Sequence, residues 1–517
     1  MTGAALAASG MQALGVGNSK CASDARAKLP KPHNLLFIIT DQQRHDTLAV
    51  YGNTQIRVPH LNRLASESVV FDSCYCTQPI CTPSRSALLT GLWPHTNGEY
   101  TNNRVLASNI PVLIQMLPKD KYKTAYFGKW HLGNEIYRQR GFDEYESTED
   151  IYAKYSEADV TNTDRDRKRS GYYRFLLEHG IKPDASDNFT RAFENTVPED
   201  LSKPAYLAHM ANKFLDRQDK NPWVMYVSFL DPHTPFTSAF DKMYHANDMT
   251  VPASFDQQTS STELERTKIV REALEKSASS ETSLVPDDKA LRATKARYWG
   301  KISLVDTMIG KIMEKLRERG YADDTIIVFT SDHGEMMGDH HLLYKSVMYE
   351  EATKVPMLLK IPGMSSATRV PQPVSHIDVV PTLLDLLSEE IPAHLQGTSW
   401  APYLRAGEAI PERSVMIEWS GPPAPFGGGN EDAEPLRTIR TVDGWKMTIT
   451  GDGEGELYNL KTDPKEMHNM FYAEESLEHI EKLTSEINLW QRATGDAIMH
   501  FDQEGWMNRR KEYTQQK

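Results

Sequence analysis

Three short apolar runs, each closing on reactive polar residues, constrain the fold of this chain more tightly than anything else in it. Leu35-Leu36-Phe37-Ile38-Ile39 leads into Thr40-Asp41, and Thr325-Ile326-Ile327-Val328-Phe329-Thr330 into Ser331-Asp332-His333-Gly334. Trp223-Val224-Met225-Tyr226-Val227-Ser228-Phe229 leads into Leu230-Asp231-Pro232-His233. Runs of this length and texture read as strands buried on both faces, inside a parallel sheet covered by helices. Between them lies a helical stripe: Tyr298, Ile302, Val305, Ile309, Ile312 and Leu316 alternate steps of four and three, and Gly320 stands where a C-terminal cap glycine belongs. The expected fold class is α/β, with a large, mostly parallel sheet flanked by helices and ligand chemistry at the carboxyl ends of its strands.

A chain of 517 residues has room for such a sheet and more. Residues 34–411 are expected to form the α/β catalytic domain. From about Glu412 the texture changes to a Gly/Pro-rich loop (Gly421 to Gly429), short strands around Thr438 to Thr450 and at Leu457-Tyr458, and an amphipathic helix near Leu477 to Leu489. Residues 412–517 therefore read as a small α+β subdomain with an antiparallel sheet. Ser147 to Lys220 and Gln257 to Asp288 look inserted, the first charged and irregular, the second loops with an exposed helix. Residues 1–33 read as a leader. The small apolar stretch Ala4 to Val16 and the later Ala25-Arg26-Ala27 resemble an export signal and its cleavage site, although no Lys or Arg precedes the stretch. Periplasmic or secreted placement is the expectation, a cytoplasmic enzyme with an Ala/Gly-rich terminus the alternative. The formal charge of −13 argues against nucleic acid, which needs a basic footprint. Four cysteines are too few for a disulfide scaffold, and no apolar run approaches the roughly 20 residues of a membrane span.

The most informative segment is Cys81-Thr82-Pro83-Ser84-Arg85-Ser86-Ala87-Leu88-Leu89-Thr90-Gly91. It sets a potential nucleophile beside a fixed cation at a helix start, where Arg85 and the helix N-terminus would both stabilise negative charge. A small buried cysteine is the bland alternative for a lone Cys. Asp41-Gln42 and Asp332-His333 end two strands, and two carboxylates at one sheet edge either repel or share a cation. An oxygen-rich set favours Ca2+ or Mg2+, and an imidazole in it tilts toward Mn2+. Gly128-Lys129-Trp130-His131 follows another strand, Tyr122 to Phe127, and residues two apart on an extended segment share one face. His233 sits between Pro232 and Pro235 after its strand, and Lys345 follows in Leu342-Leu343-Tyr344-Lys345. Taken singly, these residues also fit a turn, a structural histidine or a solvated lysine. Asp339, His340 and His341 read as structural.

The Cys81–Gly91 string resembles the signature of the formylglycine-dependent sulfatase family of the alkaline phosphatase superfamily, and Gly128 to Gly133 looks like its second signature. The resemblance runs from Asn34 to about Asn469. It implies that a formylglycine-generating enzyme acts transiently on Cys81, with Pro83 and Arg85 in the signal for that conversion. It implies one divalent metal, Ca2+ first, with Mg2+ or Mn2+ the alternatives, at Asp41, Gln42, Cys81, Asp332 and His333. Many members have Asp-Asp and Asp-Asn at these places, so Gln42 and His333 depart from the pattern. It further implies that Lys129 and Lys345 hold sulfate, that His131 orients or deprotonates the formylglycine hydroxyl, and that His233 assists the leaving alcohol. The expected activity is hydrolysis of a sulfate monoester, on a sulfated carbohydrate. Two alternatives stand beside it: a phosphonate monoester or phosphodiester hydrolase of the same superfamily, and a sulfated-glycan-binding protein with unmodified Cys81.

Overall fold

A computed structural model describes residues 34–154, 168–219, 221–256, 262–277, 287–364, 367–420, 435–499, 507–508 and 511. The leader, the Gly421–Gly429 loop and Asp164 to Arg167 lie outside them. Asn34–Asp41, buried along its whole length, is a central strand of an eight-stranded sheet. Across the sheet the strands run Thr368–Val370, Val69–Phe71, Met357–Lys360, Thr325–Ser331, Asn34–Asp41, Trp223–Pro232, Lys123–Gly128 and Glu144–Glu146. Only Met357–Lys360 is antiparallel to its neighbours. All three apolar runs of the sequence are therefore strands of one sheet.

Alternate side chains leave each strand on opposite faces, so each face packs its own helical layer. Leu36, Ile38, Met225, Val227, Ile327 and Phe329 share one core with the helices Pro59–Ser66, Lys203–Asp216 and Asp288–Glu318. Leu35, Phe37, Ile39, Val224, Tyr226, Ile326 and Val328 share the other with Leu88 and Leu89 of helix Cys81–Thr90 and with helix Val379–Leu386. Asp287 caps the long helix through Ala290 N at 2.7 Å, and Gly320, at φ 72°, follows its end as the stripe predicts.

The two stretches that read as insertions are partly structural. Ser202 caps Lys203–Asp216, whose Tyr206, Leu207, Ala211, Phe214 and Leu215 are buried. Charged residues interleaved with this stripe hide it in the sequence. Helix Glu265–Ser277 buries Val270 and Leu274 and is thus not merely an exposed element. The antiparallel sheet is present: Val415–Trp419, Leu436–Arg440, Trp445–Thr450 and Gly455–Asn459 pair in order, and Ile480, Leu483 and Ile487 of helix Leu477–Thr494 share its core. Among the described residues no helix is long and apolar enough to cross a membrane.

Register brings the chemistry to one edge. Thr40 pairs with Ser331, Asp41 with Pro232 and Gly128 with Ser228, so the residues that follow these strands emerge together. Gly128, at φ 115°, sits where a Cβ would lie 1.9 Å from the Ser228 carbonyl oxygen. Gly128→Ala combines that backbone clash with a left-handed φ and is expected to cost about 3 kcal/mol or more, read as a shift in the denaturant midpoint.

Candidate active site

Cys81 is the first residue of helix Cys81–Thr90, all ten residues of which are buried. The polar residues of the motif pin this helix to the sheet edge. Thr82 Oγ1 donates to His131 O (2.7 Å), Thr82 N donates to Asn102 Oδ1 (2.9 Å), and Ser84 Oγ donates to Asp332 O (2.5 Å). Arg85 lies one helical turn beyond Cys81, on the same face. Its Nε donates to Asp332 Oδ2 at 2.8 Å, its Nη2 to Asp41 Oδ2 at 3.0 Å and its Nη1 to Ser228 Oγ at 2.8 Å.

Arg85 thus takes the Oδ2 atoms of both carboxylates, while their Oδ1 atoms come close to Cys81 and His333. Cys81 Sγ stands 3.8 Å from Asp41 Oδ1 and 3.2 Å from His333 Nε2. His333 Nε2 is 3.8 Å from Asp41 Oδ1 and 3.6 Å from Asp332 Oδ1. Its Nδ1 donates to Gly334 O (2.9 Å), which leaves the Nε2 lone pair facing this cluster. One ligand atom from each of Asp41, Cys81, Asp332 and His333 falls within 4.8 Å of the others, all on buried residues. Two carboxylate oxygens, an imidazole lone pair and the residue 81 side chain suit one divalent cation.

The electrostatics agree with the geometry. Burial raises the Asp41 pKa, but Lys129, His233, Arg85 and Lys345 outweigh it and hold the carboxyl well below its usual range. Burial and Asp41 push the Cys81 thiol up, yet Lys129, Lys345 and His333 bring it below an ordinary thiol. Burial disfavours charge on His333, but the Asp332 carboxylate overrides it and raises the pKa, so a proton and a cation compete for Nε2.

Lys129 and His131 follow the strand but do not share the face of an extended segment. The strand ends at Gly128, and His131 has φ 56°, so the backbone turns between them. Lys129 Nζ donates to Asp41 Oδ2 at 2.6 Å. His131 Nε2 donates to Asn103 Oδ1 at 2.9 Å, and its buried Nδ1 has no hydrogen-bond partner among the described residues. Burial, then Lys129, keeps its pKa well below the ordinary imidazole value. His233 Nδ1 donates to Thr234 O at 2.9 Å, which makes Nε2 the exchangeable nitrogen. Burial and Lys345 hold its pKa down as well. Lys345 Nζ donates to Gln42 Oε1 at 2.5 Å, and the Gln42 amide nitrogen donates to Glu335. The Gln42 side chain is thus clamped between a cation and a carboxylate, while its backbone N–H bonds Asp332 Oδ1 at 3.1 Å. Asp339 instead pairs with Arg44 (3.0 Å) and Lys465 (3.1 Å), and the His340 ring stacks on Tyr349.

Sequence reasoning missed Glu335, Asn103 and Ser228. Glu335 stands two residues past His333 and Asn103 in an Asn-Asn pair, signals too common to single out; Ser228 was read only as part of its strand.

The doubly covered sheet carries a buried cation-ready cluster beside a helix-start cysteine at one edge, and comparison with solved structures places this fold in the alkaline phosphatase-like class. The chain belongs to the sulfatase family, whose model matches residues 33–389; a second model, N-sulphoglucosamine sulphohydrolase C-terminal, matches residues 338–493. It is 27% identical to the ulvan-active sulfatase of Formosa agariphila over 92% of this chain and 84% of that protein. It is 25% identical to the N-acetylglucosamine-6-O-sulfatase of Bacteroides thetaiotaomicron over 88% and 85% of the two chains. The solved phosphonate monoester hydrolase of Agrobacterium radiobacter superposes with a TM-score of 0.70 at 25% identity, covering 89% of this chain and 95% of the other.

Proposed function

We propose that this sulfatase cleaves a sulfate monoester on a sulfated carbohydrate after Cys81 has been converted to formylglycine, with one divalent cation, Ca2+ first, in the cluster. The observation that carries the reading is Cys81 Sγ lying among Asp41, Asp332 and His333, with Lys129, Lys345 and Arg85 close by. Asp41, Asp332 and His333, with Gln42 and the matured residue 81, would hold the cation. When bound, it supplies Lewis-acid stabilisation of negative charge on oxygen. As a hydrated aldehyde, residue 81 would offer two hydroxyls on one carbon, one to attack sulfur and one whose proton loss frees sulfate, which no thiol can do.

Around that centre, Lys129, Lys345 and Arg85 offset the negative charge that spreads over the transferring sulfuryl group. His233, whose Nδ1 proton is held by Thr234 O, must first take up a proton at Nε2; the negative charge of a bound sulfate ester offsets the burial and the Lys345 charge that keep the ring neutral, and the imidazolium then passes that Nε2 proton to the departing alcohol. His131 Nδ1, freed by the Asn103 bond to Nε2, accepts the proton whose loss releases product. The apolar stretch ahead of Asn34 supports export to the periplasm or beyond the cell.

A second reading, phosphonate monoester hydrolysis, draws support from the Agrobacterium hydrolase likeness. One experiment separates them. Intact mass of the Cys81 peptide is read first, followed by turnover of chromogenic sulfate, phosphonate monoester and phosphodiester by the same sample. Conversion of the thiol to an aldehyde with sulfate ester the preferred substrate is expected; retained thiol in a co-matured sample, or a phosphonate preference, overturns the proposal. Prolonged chelation is expected to lower turnover at least about tenfold, with recovery on adding back Ca2+, Mg2+ or Mn2+ ranking the cations.

A further inference from the structure

The chemistry above does not use the segment that begins at Ser147, yet that segment walls the site. The Tyr152 ring lies 4.1 Å from the His131 ring, centroid to centroid, and 5.8 Å from Lys129 Nζ. Arg191 comes to the same phenol: its Nη2 donates to the Tyr152 hydroxyl at 3.1 Å and its Nε to Glu149 Oε2 at 2.7 Å. Asn195 Nδ2 donates to Pro235 O at 3.0 Å, which ties this segment to the loop of His233. Arg191 also stands close enough to both His131 and His233 to depress their protonation.

The local charge does not balance. Glu149 is shared by Arg191 and Lys203, two cations on one carboxylate. Glu135 faces Glu149, but burial first and Glu149 next push its pKa up to about 8, so it adds no full negative charge at neutral pH. Lys301 is neutralised separately by Asp231 at 2.9 Å. Arg191 Nη1 has no partner among the described residues, and the side chain keeps a fifth of its surface exposed. A guanidinium with two donors fixed and one free is oriented for an oxyanion.

We propose that Arg191, beside the Tyr152 ring, forms a second anion subsite that takes a further sulfate or carboxylate group on the sugar bearing the scissile ester or on its neighbour. The substrate class that follows is a polyanionic saccharide rather than a lone sulfate ester. This rests on the sulfate-ester reading above.

The test measures kcat/KM of the wild type, Arg191→Gln and Arg191→Lys on three saccharides: one monosulfated and otherwise neutral, one disulfated, and one monosulfated with a uronic acid. The wild type is expected to favour at least one dianionic substrate by about tenfold or more, in line with a charge-assisted contact from the open Nη1. Arg191→Gln is expected to lower that preference by about tenfold, mainly through KM, with Arg191→Lys intermediate because it keeps the charge but loses the fork. The dianionic substrate that responds tells sulfate from carboxylate. A wild type that turns over the monosulfated sugar without preferring either dianion overturns the subsite alone, as does an equal loss on all three substrates in both variants. A wild type that cleaves no sulfate ester overturns the sulfate-ester reading and the subsite with it. Should Arg191→Gln fail to fold, the Arg191→Lys ratios decide the matter.

Discussion

Cys81→Ala lowers kcat/KM for a sulfate ester by at least about 10^4-fold, as expected of a residue on which bond making depends. Among the described residues of the cluster no other side chain stands ready to replace it. Within the cluster the remaining groups are Asp41 and Asp332, whose Oδ2 atoms are tied up by Arg85, and His333, whose Nδ1 is engaged by the backbone. None presents a hydroxyl or an aldehyde. The measurement is steady-state turnover of a chromogenic sulfate, with a thermal melt to show the variant folded. Activity within tenfold of the parent would sink the assignment of residue 81 and every role built around it.

Arg85→Ala carries the second large effect, on stability and on activity together. The guanidinium lies between Asp41 Oδ2 and Asp332 Oδ2, with all three side chains at most 1% exposed. Removing it leaves two carboxylates facing each other in a dry site, a change expected to cost about 3–5 kcal/mol in denaturant unfolding. Lys129 Nζ, at 2.6 Å from Asp41, compensates one carboxylate and not the other. Arg85→Lys recovers little, because one ammonium cannot reproduce the three-way fork to Asp332, Asp41 and Ser228. The sign with pH follows from Asp41. Its pKa is held below the unfolded value, so its contribution is in place above about pH 4 and is lost as acid protonates it. A loss under about 1 kcal/mol at neutral pH would show the pair to be dispensable.

Much of this was legible in the sequence because buried parallel strands announce themselves. The runs ending at Asp41, Asp231 and Asp332 needed no structure to be read as strands, and the sheet rule put their ends together. Lys129 was found by its motif, but the backbone turn at His131 was not, since an isolated positive φ at a non-glycine residue leaves no trace in residue type. From the sequence, Gln42 is expected as a metal ligand that departs from the family's Asp. That its amide is clamped by Glu335 and Lys345 depends on contacts 293 and 303 residues away in the chain. Tyr152 and Arg191 sit in a stretch whose charge masks its periodicity, so neither a face nor a pocket could be assigned before the fold was known. In that stretch the described Arg169 pairs with Asp187 at 2.8 Å, while the contact with His131 is made by the Tyr152 ring, to which Arg191 is bonded.

The antiparallel sheet near the C-terminus is bound to the catalytic loop by charge. Lys446, on strand Trp445–Thr450, reaches Glu350 at 3.0 Å and Glu466 at 2.9 Å, and Lys465 reaches Glu351 at 2.7 Å. Glu350 and Glu351 lie only a few residues beyond Lys345. Arg266 adds a second tie, its guanidinium 4.0 Å over the Trp419 ring while its Nε holds Ser346 O. Severing the two lobes would strand buried acids without counterions and release the loop that carries Lys345. Catalytic competence and the integrity of the tail region are therefore inherited together, and a shortened chain ending before the small sheet is not a minimal enzyme but a broken one.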